Sequence, residues 1–249
     1  MAAEPWRTGT VIRIEDETYN TRRFFIKVNE LESFNFKAGQ FVTLDLPIHE
    51  QKNKRWRSYS IASWPDGSNV FELLIVLLNE GAGTTYLFKH VNVGSELTFR
   101  GAQGSFTLPD AIEKDLFFIC TGTGIAPFRS MLNYMHIHNI AHKNLYLIFG
   151  VRTQKDLLYH EEMKVLESKM ENFTYMPTLS REGWDGHKGY VHSLYEEICK
   201  KNNEACESLE NYKPASFYLC GWKAMIDDAR KKIVELGYDR KSVHLELYG

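Results

Sequence analysis

The chain has 249 residues, 43% of them hydrophobic and 25% charged, which is an ordinary globular balance with room for one large domain or two small ones. Thirty basic residues face thirty-two acidic ones, so the charge argues against a nucleic-acid partner or a polybasic membrane surface.

In chain order, the first runs are GTVIRIEDE, RRFFIKVN, QFVTLDLP, RSYSIAS, VFELLIVLL and ELTFRG. They are short, rich in β-branched and aromatic residues, and punctuated by Gly, Asn, Pro or Asp. Six such strands with little helix between them predict a small antiparallel barrel. KHV, before Gly94, ends one short helix. Within RSYSIAS, Arg57 and Tyr59 share one strand face and Ser60 takes the other. An arginine there can neutralise a pyrophosphate, and a tyrosine ring can cover a planar heterocycle. The plainer reading is a half-buried strand. In EGAGTTYLF, Gly81, Gly83, Thr84 and Thr85 precede an apolar helical turn. Free N–H groups and hydroxyls there form an anion site, or else only a polar hairpin loop.

After Pro109 the rhythm changes. DLFFIC, NLYLIF, FTYMPTL, SFYLC and SVHLEL are continuous apolar runs, separated by helical patterns. Phe128, Met131, Leu132 and Met135 repeat at helical spacing, as do Val191, Leu194, Tyr195 and Ile198, and then Met225, Ile226, Ala229 and Ile233. Buried strands alternating with amphipathic helices predict a five-stranded parallel α/β sheet. The expected domains are residues 1–109, the barrel, and 110–249, the α/β half.

The turn CTGTGIAPFRSML follows a buried strand and opens a helix, where backbone N–H groups and the helix dipole can hold a phosphate. Gly122 and Gly124 flank Thr123 and allow close backbone approach, while Pro127 stands where the usual third glycine would. The alternative is a tight turn that holds nothing. A NAD site usually ends its second strand on an acidic residue. Here that strand ends in FGVRT with Arg152, and the third in LSREGWDGHKGY with Ser180, Arg181 and Lys188. Guanidinium groups and a hydroxyl suit the 2′-phosphate of NADP, and Tyr190 can stack on adenine. A solvated charged loop would look the same. Cys220-Gly221 ends the fourth strand of this half, where ligands meet open parallel sheets. Glu246 and Tyr248 lie on the fifth. Cys220 also reads as a small core residue, and Tyr248 as a frayed terminus.

No stretch is long and apolar enough to span a bilayer, and MAAEPWRTGT lacks the apolar core of a secretory signal. Four scattered cysteines with no CxxC pair point to a reducing, cytoplasmic setting and away from iron–sulfur ligation. No metal site is expected. His136 and His138 do not share a helix face, and HEEMK lacks the second histidine of a zinc helix.

Taken together, RSYSIAS, GAGTTYL, TGTGIAPFRSML, SRE, YLCGWKAM and HLELY resemble the motifs of the ferredoxin–NADP reductase family, in order and over nearly the whole chain. The resemblance implies a flavoenzyme with FAD and NADP(H), exchanging hydride at flavin N5 and passing single electrons to ferredoxin or flavodoxin. It implies that Arg57 binds the FAD pyrophosphate, Tyr59 packs on the isoalloxazine, and Ser60 hydrogen-bonds near N5. Gly83 and Thr84 hold the FAD phosphates. Cys220 lies by the nicotinamide, Glu246 assists transfer, and Tyr248 covers the other flavin face until the nicotinamide displaces it. Lys188 stands where some bacterial members carry a further phosphate-binding arginine. Plant-type members end on the tyrosine, whereas here Gly249 follows. The same module also serves oxygenase components, haem proteins and quinones. A nucleotide-binding regulatory module without turnover is a further alternative, against which Ser60, Cys220 and Glu246 argue.

Overall fold

A computed structural model of the chain describes residues 4–206, 208 and 211–248, the side chain of Tyr248 aside. Two compact units emerge: residues up to 107 together with 126–134, and residues 108–125 together with those from 135 onward.

The first unit is built on six strands: β1 (Trp6–Thr18), β2 (Thr21–Val28), β3 (Phe41–Asp45), β4 (Trp56–Ser60), β5 (Val70–Val76) and β6 (Glu96–Gln103). Helix α1 (Ala82–His90) joins β5 to β6. The strands pair antiparallel in the order β4-β3-β6-β1-β2-β5. A bridge from Ile61 to Leu73 links the two edges and closes the barrel. The alternation of each strand sends Val11, Phe24, Ile26, Val42, Leu44, Phe71, Leu73 and Phe99 inward, and Leu87 of α1 joins them. Phe34, Phe71 and Phe99 fill the centre with ring centroids 5.0–5.7 Å apart, the offset and edge geometries that aromatic quadrupoles favour.

The second unit centres on a parallel sheet of β7 (Asp115–Thr121), β8 (Leu145–Val151), β9 (Phe173–Leu179), β10 (His187–Lys188), β11 (Ala215–Trp222) and β12 (Val243–Tyr248). Its order is β10-β9-β8-β7-β11-β12. Five strands were expected. The sixth, β10, pairs only His187 and Lys188 with Thr178 and Leu179, too short a run to leave a sequence pattern. The helices of this unit are α3 (His160–Lys169), α4 (Val191–Asn203) and α5 (Lys223–Glu235), while α2 (Ala126–Ile137), which follows β7, belongs to the first unit up to residue 134. Strand β7 is buried almost throughout, as a central parallel strand must be, and Phe117 stacks between Tyr146 and Phe217 of its two neighbours. The chain order reverses between β7 and β11. That reversal opens a crevice at the carboxyl ends of the strands. Among the described residues no helix is long and apolar enough to cross a membrane.

Candidate functional site

In the barrel, β4 alternates as its sequence demands. Trp56 and Ser58 face out, Arg57 and Tyr59 are half-buried, and Ser60 is buried. The Arg57 Nη1 donates to the carbonyls of Lys54 and Trp56 at 3.0 and 2.7 Å. Its stem runs against the first turn of α1: a Cβ on Gly83 would lie 3.0 Å from Arg57 Cγ and 3.3 Å from Nε. A larger residue at 83 would push the arginine off the helix end.

That end is open. Gly81 is the N-cap and brings no side-chain cap to the first-turn N–H groups. The Thr85 N–H closes the first helical bond on Gly81 O at 2.8 Å. The Thr84 hydroxyl donates to Gly81 O at 3.1 Å and accepts from the Leu78 N–H at 3.2 Å. Thr84 thus fixes the turn, and the N–H groups beside it are the donors an anion would meet. Guanidinium, helix dipole and glycine converge on one cradle, which suits a diphosphate. Burial pushes the Tyr59 phenol up to about 12 against the lowering pull of Arg57, so the ring is neutral over the working pH range. It packs on the barrel core as a flat apolar surface.

In the second unit, β7 runs into a 3-10 turn, Gly122–Ile125, before α2 begins. Gly122 has φ +54° and open space where a Cβ would be. Gly124 has none: a Cβ there would sit 2.3 Å from the Cys220 carbonyl oxygen. Gly221 has φ +147°, and its Cβ would meet Thr121 Oγ1 at 2.4 Å. The turn and β11 therefore interlock backbone to backbone. Among the described residues, the buried Thr121 hydroxyl beside this turn finds no hydrogen-bond partner.

Cys220 pairs in register with Glu246 on β12 and with Cys120 on β7. Its thiol is buried and reaches the Glu246 carboxylate, Sγ to Oε2, at 3.9 Å. Burial holds the Cys120 thiol well above the ordinary thiol range, so it stays protonated. The Tyr248 backbone pairs with Trp222; the expected role of its ring concerns a side chain outside the described residues.

The residues expected at the 2′-phosphate converge on one corner. The N–H groups of Ser180 and Arg181 donate to the carbonyls of Val151 and Arg152 at 3.0 and 2.9 Å, joining the ends of β8 and β9. Arg152, Arg181 and Lys188 are exposed, and none of the three forms an ion pair among the described residues. Tyr190 is the N-cap of α4 and is 73% exposed, leaving an aromatic face open. Two features escaped the sequence reading. Thr153 and Asp156 form a reciprocal capping box, and Glu182 Oε2 accepts from the Gln154 N–H at 2.7 Å. Thr153, Gln154, Lys155 and Glu182 line an open depression of about 630 Å³. The Thr-x-x-Asp spacing in RTQKD was the available signal.

Comparison with known proteins gives two family matches: an oxidoreductase FAD-binding domain over residues 8–108 and an oxidoreductase NAD-binding domain over residues 118–231. Ferredoxin–NADP reductase B of Sorangium cellulosum is 35% identical over 224 residues, covering 87% of each chain. The anthranilate 1,2-dioxygenase electron transfer component of Acinetobacter baylyi is 33% identical over 203 residues, covering 79% of this chain and 53% of its own. Among solved structures, a ferredoxin NADP+ reductase from Neisseria gonorrhoeae with bound FAD and NADP superposes with a TM-score of 0.79 at 25% identity, covering 97% of this chain and 98% of that one.

Proposed function

Because this chain belongs to the ferredoxin–NADP reductase family, a flavoprotein oxidoreductase with FAD and NADP(H) as cofactors, we propose that it passes electrons between NADP(H) and a ferredoxin or flavodoxin. The observation that carries the flavin half of this reading is the Arg57 stem seated on Gly83 at the open end of α1.

FAD supplies the redox chemistry, taking electrons as a hydride pair and releasing them singly. The side chains position and compensate. Arg57 and the first-turn N–H groups of α1 neutralise the diphosphate. Tyr59 offers the isoalloxazine a flat surface, and the Ser60 hydroxyl at the strand end offers it a hydrogen bond. Gly122, Thr123 and Gly124 let the dinucleotide backbone approach the end of β7. Arg152, Ser180, Arg181 and Lys188 take the 2′-phosphate, and Tyr190 lies under the adenine. Cys220 and Glu246 would stand at the nicotinamide, the thiol hydrogen-bonded to the carboxylate. We assign residues 1–109 to FAD and 110–249 to NADP(H), and place the protein in the cytoplasm, where four free cysteines stay reduced.

A second reading, the reductase partner of an oxygenase, is supported by the similarity to the anthranilate dioxygenase component. Anaerobic mixing with NADPH tests the common core: a yellow protein that bleaches is a reductase, and one that binds NADPH but stays oxidised is not. Electron delivery to purified ferredoxin, flavodoxin and an oxygenase component, compared at equal concentration, separates the acceptors.

A further inference from the structure

Among the described residues, Arg129 and Glu72 form the most deeply buried ion pair of the first unit, and neither has a part in the proposed cofactor sites. Arg129 is 4% and Glu72 2% exposed. Charges so buried survive only when paired and hydrogen-bonded. Here one guanidinium nitrogen of Arg129, Nη1, donates to Glu72 Oε2 at 2.9 Å and to the carbonyl of Ala62 at 2.9 Å. Glu72 also accepts a forked pair from Arg23, Nε at 2.7 Å and Nη2 at 3.1 Å. Arg23 in turn reaches Glu15 and Glu17. The Glu72 backbone completes the frame: its N–H donates to Ser63 Oγ at 3.0 Å, and its carbonyl accepts from the Ala62 N–H at 2.8 Å. The Trp64 ring lies beneath the guanidinium, 5.4 Å from Arg129 Cζ to its centroid.

Both bonds of Arg129, and those of the Glu72 backbone, land on residues 62–63 or on the Glu72 carboxylate beside them. That segment directly continues β4 past Ser60, at the seam where the Ile61–Leu73 bridge closes the barrel. Among the described residues, the seam beyond that bridge continues with one further backbone bond, Ala62 N–H to Glu72 O, and no full ladder. We propose that Arg129, braced by Glu72, is a positioning residue: it clamps the backbone at 62–63 and so fixes where the preceding Ser60 hydroxyl stands. This rests on the assignment of Ser60 to the flavin. A positioning group misplaced by about an ångström slows transfer by one to two orders of magnitude without touching the reactants.

The test uses the FAD-loaded protein in anaerobic stopped flow, reading the limiting rate of flavin bleaching, the NADPH concentration at half-maximal rate and the visible flavin spectrum. Arg129→Gln is expected to lower the limiting rate on the order of tenfold, to move the half-saturating NADPH concentration less than twofold, and to shift the flavin band. Arg129→Lys keeps the charge and is expected to recover part of the rate. If Arg129→Gln does not fold, Ser63→Ala, which removes the acceptor for the Glu72 N–H, and Arg129→Lys carry the test; each is expected to slow the limiting rate. Variants that lose thermal stability yet keep the wild-type limiting rate and flavin band would overturn the positioning role. Ser60→Ala is run beside them. If it is slow while the Arg129 and Ser63 variants are not, only the clamp is wrong. If it is silent, the Ser60 assignment falls, and the clamp's purpose with it.

Discussion

Arg57 and Arg181 are both assigned to phosphate, yet they are built differently. Arg57 is half-buried, its guanidinium bonded to two carbonyls and its stem set against Gly83. Arg181 is anchored only through its backbone and holds its guanidinium in solvent. The first is ordered before any ligand arrives, and so loses little entropy on binding. The second must be ordered by the ligand and is screened by salt. A tightly held cofactor and a dinucleotide that must come and go call for these two designs.

The comparison is broken most directly at Arg57. Arg57→Ala should weaken FAD by about 1.5–3 kcal/mol, the worth of a hydrogen bond to a charged group, raising the dissociation constant roughly ten- to 150-fold. Flavin retained through desalting, against wild type, measures it; full retention would mean the cradle does not hold the diphosphate. Gly124→Ala probes the rigid part of the nucleotide half. Its Cβ would meet the backbone of β11 at the Cys220 carbonyl and the Gly221 nitrogen, so overpacking should cost about 1–3 kcal/mol and lower Tm. An unchanged melting curve would show that the turn and β11 part more easily than their contact implies.

Arg181→Ala should act more weakly. Loss of one exposed charge is worth about 0.2–1 kcal/mol, so KM for NADPH should rise up to about fivefold while kcat holds. Wild type should prefer NADPH to NADH, and the substitution should narrow that preference. Equal use of both cofactors by wild type would remove the 2′-phosphate assignment. Added salt should weaken NADPH more than FAD, which sharpens the contrast between the two arginines.

The smallest effect lies at Tyr59. Its folded pKa, near 12, exceeds the ordinary 10, so the folded state keeps a proton that the unfolded chain gives up. Its contribution to stability is complete below pH 10 and is lost as pH rises from 10 towards 12. Burial also raises Tyr146, Tyr175, Tyr195, Tyr218 and Tyr238, so ultraviolet titration should show several tyrosines ionising late, and Tyr59→Phe should remove one of them. A phenolate already formed at pH 10 would contradict the burial.

How much could be read beforehand follows from the same contrast. The glycine turn after β7 was legible because a positive φ at Gly122 and the close backbone approach at Gly124 exclude other residue types, and short motifs record such constraints. The six barrel strands were legible as β-branched and aromatic runs cut by turn residues, even β5, which buries Phe71 to Ile75 on both faces. Helix α3 was not, since it buries only Met163 and Leu166 and shows little apolar periodicity. Arg129 was hidden for a further reason. It lies between the apolar positions Phe128 and Met131 and reads as the solvent side of α2, but its partner Glu72 comes from another element, and no local pattern links them. Glu182 was invisible likewise, because its bond to Gln154 spans two strand ends.

The strand order also has a kinetic consequence. In the parallel sheet, β7, β8 and β9 are neighbours in sequence and in space, and each can dock on the one before it as it is made. In the barrel, β1 pairs with β6 from Trp6–Arg100 to Thr10–Glu96, so the earliest strand waits for the latest. Most of the intervening chain must exist, unclosed and exposing Phe24, Phe71 and Phe99, before that ladder can form. Long-range pairing of this kind is slow and exposed to aggregation. The barrel is therefore where refolding should stall, and where a chaperone would have most to shield.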